Sequence, residues 1–234
     1  MTGNLTSIFQ QSNLDQAYHD AGEVARTLAP NEPAYLFCRD MLAQRAQRFQ
    51  RGFAGKVSYA VKANPEPRVL QALVDQGQRH FDVASIGEVR TVLMVAPAAT
   101  LHFNNPIKAP EAIEEAYRRY RVRSFSLDEI SELKKIHEAT GGDTQVLYTV
   151  RFKLEHSGAA YDFGSKFGAS PDKAVRLLQA VSAMGARPAL TFHPGSQCTD
   201  PDMYRRYIET AGEIASKAGV ELQLLNVGGG FPAQ

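Results

Sequence analysis

The feature that most constrains this chain is an alternation, repeated many times, of short β-branched or aromatic runs with amphipathic segments. The runs predict strands at Val57–Val61, His80–Ala84, Leu101–Asn104, Arg123–Leu127, Val146–Phe152, Ala189–His193 and Gln223–Val227. The first five begin about 20 to 23 residues apart, the length of one strand, one loop and one helix, and the later gaps are longer. Repeated β-α units imply a parallel sheet covered by helices, either an open doubly wound sheet or a closed (β/α) barrel. The segments between carry helix signals. In PEAIEEAYRRY, Ile113, Ala116, Tyr117 and Tyr120 recur at i, i+3, i+4 and i+7 behind Pro110, which suits a first helical position. Ser170 before Pro171 and Asp200 before Pro201 are predicted N-caps, the second ahead of an apolar stripe of Tyr204, Tyr207, Ile208 and Ala211.

With 234 residues, 44% hydrophobic and 22% charged, the chain can bury one sizeable core or two small ones. A net charge of +1 with scattered Lys and Arg offers no basic stripe for a phosphate backbone, so nucleic acid is not an expected partner, and nothing marks a membrane surface. No apolar run reaches the length of a membrane span, and MTGNLTSIFQQSN has neither a basic start nor an apolar signal core. The cytoplasm is the expected compartment. Cys38 and Cys198 make neither a metal spacing nor a disulfide framework; both read as reduced thiols, and no metal is expected.

In both candidate architectures the chemistry sits at the carboxyl ends of the strands. Here those ends are Lys62-Ala63-Asn64, Asp82 with Ala84-Ser85, Asn104-Asn105-Pro106, Asp128, Arg151, His193-Pro194-Gly195-Ser196 and Gly228-Gly229-Gly230. Nearly all are polar or glycine. A barrel gathers seven such ends around one mouth whereas an open sheet spreads them along a crevice, which favours the barrel. Lys62 closes the apolar run VSYAV, a costly place for an ammonium unless it is used. At a strand end it is expected to be partly desolvated, which favours a neutral, nucleophilic amine; the alternative is a lysine that snorkels to solvent. The three glycines follow the seventh strand, where barrels place phosphate sites, and they let backbone amides approach a ligand closely; the alternative is a flexible turn. For His193 the alternative is a satisfied core histidine.

The motifs YAVKAN, FDVAS, NNPIK, FSLDEISELKKI, KFGA, FHPGSQ and NVGGGFP, in that order between about Pro33 and Pro232, resemble the pyridoxal-phosphate decarboxylases of basic amino acids with the alanine-racemase-like fold. These are the ornithine, lysine, arginine and diaminopimelate decarboxylases. The resemblance implies an α/β, TIM-type (β/α)8 barrel, present here as about seven of its eight strands, with residues 1–32 as an N-terminal extension and residues 33–234 as the barrel domain. It implies pyridoxal 5'-phosphate as cofactor, carried covalently by Lys62, with Ser196, Gly228, Gly229 and Gly230 at its phosphate and His193 against its ring. Lys62 and His193 are the catalytic candidates. Asp82 and Arg151 match positions that line the cofactor pocket, and structural ion pairing stays open for both. KLEHSGAAYDFGSKFGAS reads as a long loop over the mouth, of the kind that serves as a lid, and the resemblance implies that Lys166, in KFG, meets a partner subunit.

Within that family, NPEPRVL after the lysine departs from the tyrosine-glycine-histidine stretch of alanine racemases, and NNPIK and FSLDEISELKKI look more like the ornithine/lysine branch than the diaminopimelate branch. The expected reaction is decarboxylation of L-ornithine to putrescine in polyamine biosynthesis. Lysine or diaminopimelate decarboxylation is the alternative. A non-catalytic pyridoxal-phosphate-binding barrel is an alternative of another class, and a pure scaffold is a third. The eighth strand, the EPGR-type glutamate that meets the pyridine nitrogen, and the C-terminal β domain of the family are not among these 234 residues. The family's head-to-tail homodimers draw a cysteine and an acidic residue from the partner's β domain. The full-length parent is therefore expected to act as a homodimer on a small basic amino acid, and this chain alone to be inactive.

Overall fold

The computed structural model describes residues 18–154 and 167–232. The chain divides into two compact units, residues 1–41 and 42–234. In the first, α1 (Ala21–Leu28) is opened by Asp20, whose carboxylate accepts from the Glu23 N–H at 2.8 Å, and closed by Ala29 in the left-handed region. α2 (Arg39–Gly52) runs across the division.

The second unit carries β1 (Ser58–Ala60), β2 (His80–Val83), β3 (Thr100–Phe103), β4 (Ser124–Leu127), β5 (Leu147–Arg151), β6 (Arg187–Thr191) and β7 (Leu224–Asn226). Between them lie α3 (Pro67–Asp75), α4 (Ile86–Val95), α5 (Pro110–Arg118), α6 (Ile130–Ala139), α7 (Pro171–Ala183) and α8 (Pro201–Ala218). All seven predicted strands are present, every pairing is parallel, and the sheet order is β1 to β7 without a reversal. A doubly wound sheet reverses its order at a switch point. This sheet does not, and the unit is an incomplete (β/α) barrel with β1 and β7 at the two ends of the order.

Local chemistry sets the elements. Helices α3, α5, α7 and α8 start with proline in the first turn, where a missing N–H breaks no bond. Ser170 caps α7 through the Lys173 N–H and Asp200 caps α8 through the Asp202 N–H, as their sequence positions predict. At α4 the Ser85 hydroxyl accepts from the Glu88 N–H at 3.2 Å while the Glu88 carboxylate accepts from the Ala84 N–H at 2.8 Å. This reciprocal cap fixes the end of β2, where Asp82 sits.

Along β2 to β6 every second side chain is apolar and buried: Phe81 and Val83, Leu101 and Phe103, Phe125 and Leu127, Tyr148 and Val150, Leu190 and Phe192. These form one core with Leu70, Val89, Ile113, Ile136, Leu178 and Ile214 of the helices, and burying each such side chain contributes about 1.5–3 kcal/mol. The two-residue period puts the others on the opposite face, among them His80 and Asp82, His102 and Asn104, Ser124 and Ser126, Thr149 and Arg151. The inner face of the barrel is thus polar. Two expected stripe positions fall elsewhere. Ile208 is 46% exposed because α8 packs through Met203, Tyr207, Ala211 and Ile214, and Tyr120 lies beyond the end of α5.

A buried charge cluster joins the third and fourth strand ends. The Lys108 ammonium, with its side chain fully buried, donates to the carbonyls of Asn105 (2.8 Å) and Ser126 (2.6 Å) and pairs with Glu132 at 2.9 Å. Lys135 in turn donates to the Lys108 carbonyl at 2.7 Å and to the second Glu132 oxygen at 2.5 Å. Every carboxylate oxygen in the cluster has a partner, which is the condition under which a buried ion is tolerated.

Candidate active site

The carboxyl ends of the strands carry the polar residues the sequence points to. Lys62 does not end β1: the ladder stops at Ala60, and residues Val61–Ala63 tighten into a 3-10 turn that carries the lysine. Val61 is buried and Lys62 exposed, so the partial desolvation expected of that amine is not met by the protein alone. Asp82 lies near the end of β2, Arg151 ends β5, His193 stands two residues beyond β6, and the glycines begin two residues beyond β7.

Their charges act on one another. Burial pushes the Asp82 carboxyl up to about 6, although the Asn104 side chain and the positive Lys62 and Arg151 pull it down; Glu88 adds to the rise. Burial, helped by Arg151 and Lys62, holds His193 down at about 4. Burial also lowers Arg151, against the pull of Asp128 and Asp82. The four side chains Lys62, Asp82, Arg151 and His193 therefore share one electrostatic site. Asp82 Oδ1 and Asn104 Oδ1 are buried without a hydrogen-bond partner, side by side at the ends of β2 and β3. Buried acceptors of this kind are costly unless a ligand or a proton meets them.

His193 is placed by packing. Phe192, the residue before it, stacks on Tyr207 of α8 at 4.7 Å and meets Phe152 edge-on at 5.7 Å. The His193 Nδ1 accepts from the Gly195 N–H at 3.1 Å, which puts the proton of the neutral ring on Nε2. The ring lies against the glycine run: a Cβ on Gly229 would stand 3.8 Å from Nε2 and one on Gly230 3.3 Å from Cε1.

The glycines are required twice over. Gly228 and Gly230 have φ of 72° and 87°, and a Cβ would stand 2.2 Å from the Phe192 carbonyl oxygen at the first and 1.8 Å from the Gly195 carbonyl oxygen at the second. The Gly228 N–H is donated to Asn226 Oδ1 at 2.8 Å. That leaves the Gly229 and Gly230 amides, which have no protein partner among the described residues. Ser196 is exposed and adjoins Gly195, whose carbonyl abuts Gly230.

Arg151 also stands 5.7 Å from the Phe167 ring, and Asp128 accepts from the Gly168 N–H at 2.8 Å. Asp128 thus ties the KFG motif to the carboxyl end of β4. Lys166 and residues 155–165 of the expected lid lie outside the described residues. Asn104, Asp128, Asn226 and Tyr204 are not among the site residues expected from the sequence. The first two were visible as polar strand ends; the others act on the glycine run from the end of β7 and from α8. A separate cavity of about 270 Å³, lined by Gln50, Lys56, Gln78, Arg79 and His80 among others, opens at the amino-terminal ends of β1 and β2, away from this site.

The site fits a phosphorylated aldehyde cofactor. An accessible amine, unused amides in a glycine cradle, a neutral imidazole beside that cradle and buried acceptors without partners supply what such a molecule needs. The family described as pyridoxal-dependent decarboxylase, pyridoxal binding domain, matches residues 39–234. This chain belongs to that family. The lysine/ornithine decarboxylase of Selenomonas ruminantium is 35% identical over 181 residues, which are 75% of this chain and 45% of the relative. The crystal structure of lysine decarboxylase from the same organism matches with a TM-score of 0.76 at 30% identity, covering 93% of this chain and 57% of the other. Lysine/ornithine decarboxylase from Vibrio vulnificus, crystallised with putrescine, matches at 0.75 and 28% identity, covering 92% and 58%. The chain spans less than half the length of curated relatives such as the first. The family resemblance, the barrel and the pyridoxal cofactor expected from the motifs all stand. Among the described residues no helix is long and apolar enough to cross a membrane, and no group of three or more His, Cys, Asp or Glu side chains is arranged to hold a metal ion.

Proposed function

We propose that this chain is the cofactor-binding barrel portion of a decarboxylase of basic amino acids, with L-ornithine as substrate and putrescine as product. The observation that carries the reading is the shared electrostatic site of Lys62, Asp82, Arg151 and His193 beside the glycine cradle. Pyridoxal phosphate, when bound, condenses with an amine through its aldehyde and draws electrons from the bond being broken.

The chain's own residues then have separate tasks. With the cofactor bound, Lys62 would be the residue that holds it covalently through its amine and would yield that place to the substrate amine. The Gly229 and Gly230 amides and the Ser196 hydroxyl would hold the phosphate. His193, neutral because burial keeps its pKa near 4, presents an uncharged ring to a planar ligand. Asp82, pushed up to about 6 by burial, could hold a proton or accept a hydrogen bond from the Lys62 ammonium, and the half-buried Arg151 guanidinium would attract the substrate carboxylate.

Ornithine is favoured by the NNPIK and FSLDEISELKKI motifs; the Vibrio vulnificus relative, crystallised with putrescine and with cadaverine, fits either substrate. Lysine is the second reading, because the Selenomonas relative is named for both substrates. We expect a homodimer in a protein of the relatives' full length, and no appreciable turnover by this chain alone. The test is carbon dioxide release from L-ornithine, L-lysine and meso-diaminopimelate by a full-length protein containing this segment. Fastest release from ornithine supports the reading; fastest release from diaminopimelate, or turnover by the isolated chain at a full-length rate, contradicts it.

A further inference from the structure

Each peptide of the glycine run is anchored on one side. The Gly228 N–H is donated to Asn226 Oδ1 at 2.8 Å, the Gly229 carbonyl accepts from the Tyr204 hydroxyl at 2.8 Å, and the Gly230 carbonyl accepts from the Cys198 N–H at 2.7 Å. In a planar trans peptide the C=O and the following N–H point in opposite directions. Whatever holds the Gly229 oxygen therefore sets where the Gly230 N–H points, and the bond to the Gly230 oxygen does the same for the Phe231 N–H. Positive φ at Gly228 and Gly230, with Gly229 between them outside that region, gives the alternation from which anion-binding backbone concavities are built.

Of the three anchors, the Gly229 one is a side chain from a different element, 25 residues away on α8. The Tyr204 ring is fixed independently of its hydroxyl. It stacks on Phe231 at 5.0 Å with the planes 10° apart, and Phe231 in turn meets Phe49 of α2 edge-on at 5.2 Å. Burial pushes the phenol up to about 12, so it remains a donor at neutral pH.

We propose that Tyr204 is a positioning residue of the cofactor's phosphate cradle: by holding the Gly229 carbonyl it aims the Gly230 N–H at the phosphate. The inference rests on reading the glycine run as the phosphate site. Tyr204→Phe keeps the ring and its stack on Phe231 and removes only the donor.

The experiment compares the dissociation constants of pyridoxal phosphate and of pyridoxal, which lacks the phosphate, for the wild-type chain and the variant. The variant is expected to narrow the preference for the phosphorylated compound about three- to tenfold, the range of one hydrogen bond, with pyridoxal affinity changed less than about twofold. A preference that does not move, or equal losses for both compounds, overturns the inference. If the variant does not fold, titration of the wild-type chain with inorganic phosphate decides: shifts of the Gly230 and Phe231 amide resonances support the cradle, and shifts confined to other residues overturn it. A wild-type chain with no preference for the phosphorylated compound overturns the phosphate-site reading itself, and Tyr204 with it.

Discussion

Replacing Lys108 by methionine removes the hub that joins the ends of β3 and β4. The variant loses the ammonium while keeping a side chain of similar reach. The Asn105 and Ser126 carbonyls then lose their donor, and a buried polar group left without a partner costs about 1–3 kcal/mol. Glu132 keeps Lys135 at 2.5 Å, so the full penalty for a broken buried pair, about 3–5 kcal/mol, is not reached. The net expectation is about 2–4 kcal/mol, and at about 2–4 °C per kcal/mol for a domain of this size the midpoint should fall by about 4–16 °C in a calorimetric or circular-dichroism melt. The sign of the pH dependence is fixed as well. Burial holds the Lys108 ammonium at about 8 against the usual 10.5. Between those values the unfolded chain binds a proton that the folded chain does not, so this group makes the wild type more stable as pH rises through that window. The variant lacks that rise, and its deficit should be larger at pH 10 than at pH 7. A midpoint change under about 2 °C, or a deficit that shrinks with pH, would refute the reasoning.

Gly230→Ala forces a Cβ onto the Gly195 carbonyl oxygen in a backbone region that costs a non-glycine residue about 1–2 kcal/mol. It should weaken pyridoxal phosphate binding at least about tenfold in an absorbance titration, since a displaced amide forfeits a charge-assisted bond; unchanged affinity contradicts the cradle. Burial holds both His102 and His193 at about 4, below the usual 6.5. The unfolded chain therefore takes up protons first, and stability should fall as pH drops from 6.5 toward 4 and be insensitive to these groups above 6.5. His102→Gln should flatten that slope in denaturant melts, and an unaltered slope contradicts the assignment.

The seven strands were legible because β-branched and aromatic runs of the right length, separated by helix-length gaps, have few other solutions. The barrel's polar inner face was less so. His80, His102 and Ser124 read as ordinary polar positions until the register sets His102 within 3.3 Å of His80 and 3.1 Å of Ser124. Lys62 was found from the oddity of a charge after an apolar run, but its 3-10 turn was not, since three residues carry no periodicity. Tyr204 appeared as one of four apolar stripe positions on α8, and a helical period cannot tell a core tyrosine from one whose hydroxyl reaches a loop 25 residues on. Asn226 acts through a hydrogen bond to a backbone amide, which leaves no pattern in the sequence, and Asp128 was visible as a polar strand end although its bond to the Gly168 N–H was not.

Lys62 is the proposed attachment point on which every other role at this site depends. The chain incubated with pyridoxal phosphate, reduced with borohydride, digested and mapped should carry the label on the peptide containing Lys62, and Lys62→Ala should abolish the accompanying absorbance band. Exposed Lys56, on the same peptide stretch before β1, serves as an internal control, and Lys108 is protected because its ammonium is committed to two carbonyls and a carboxylate. Label at Lys56, at Lys108 or at any other lysine in preference to Lys62 would contradict the site.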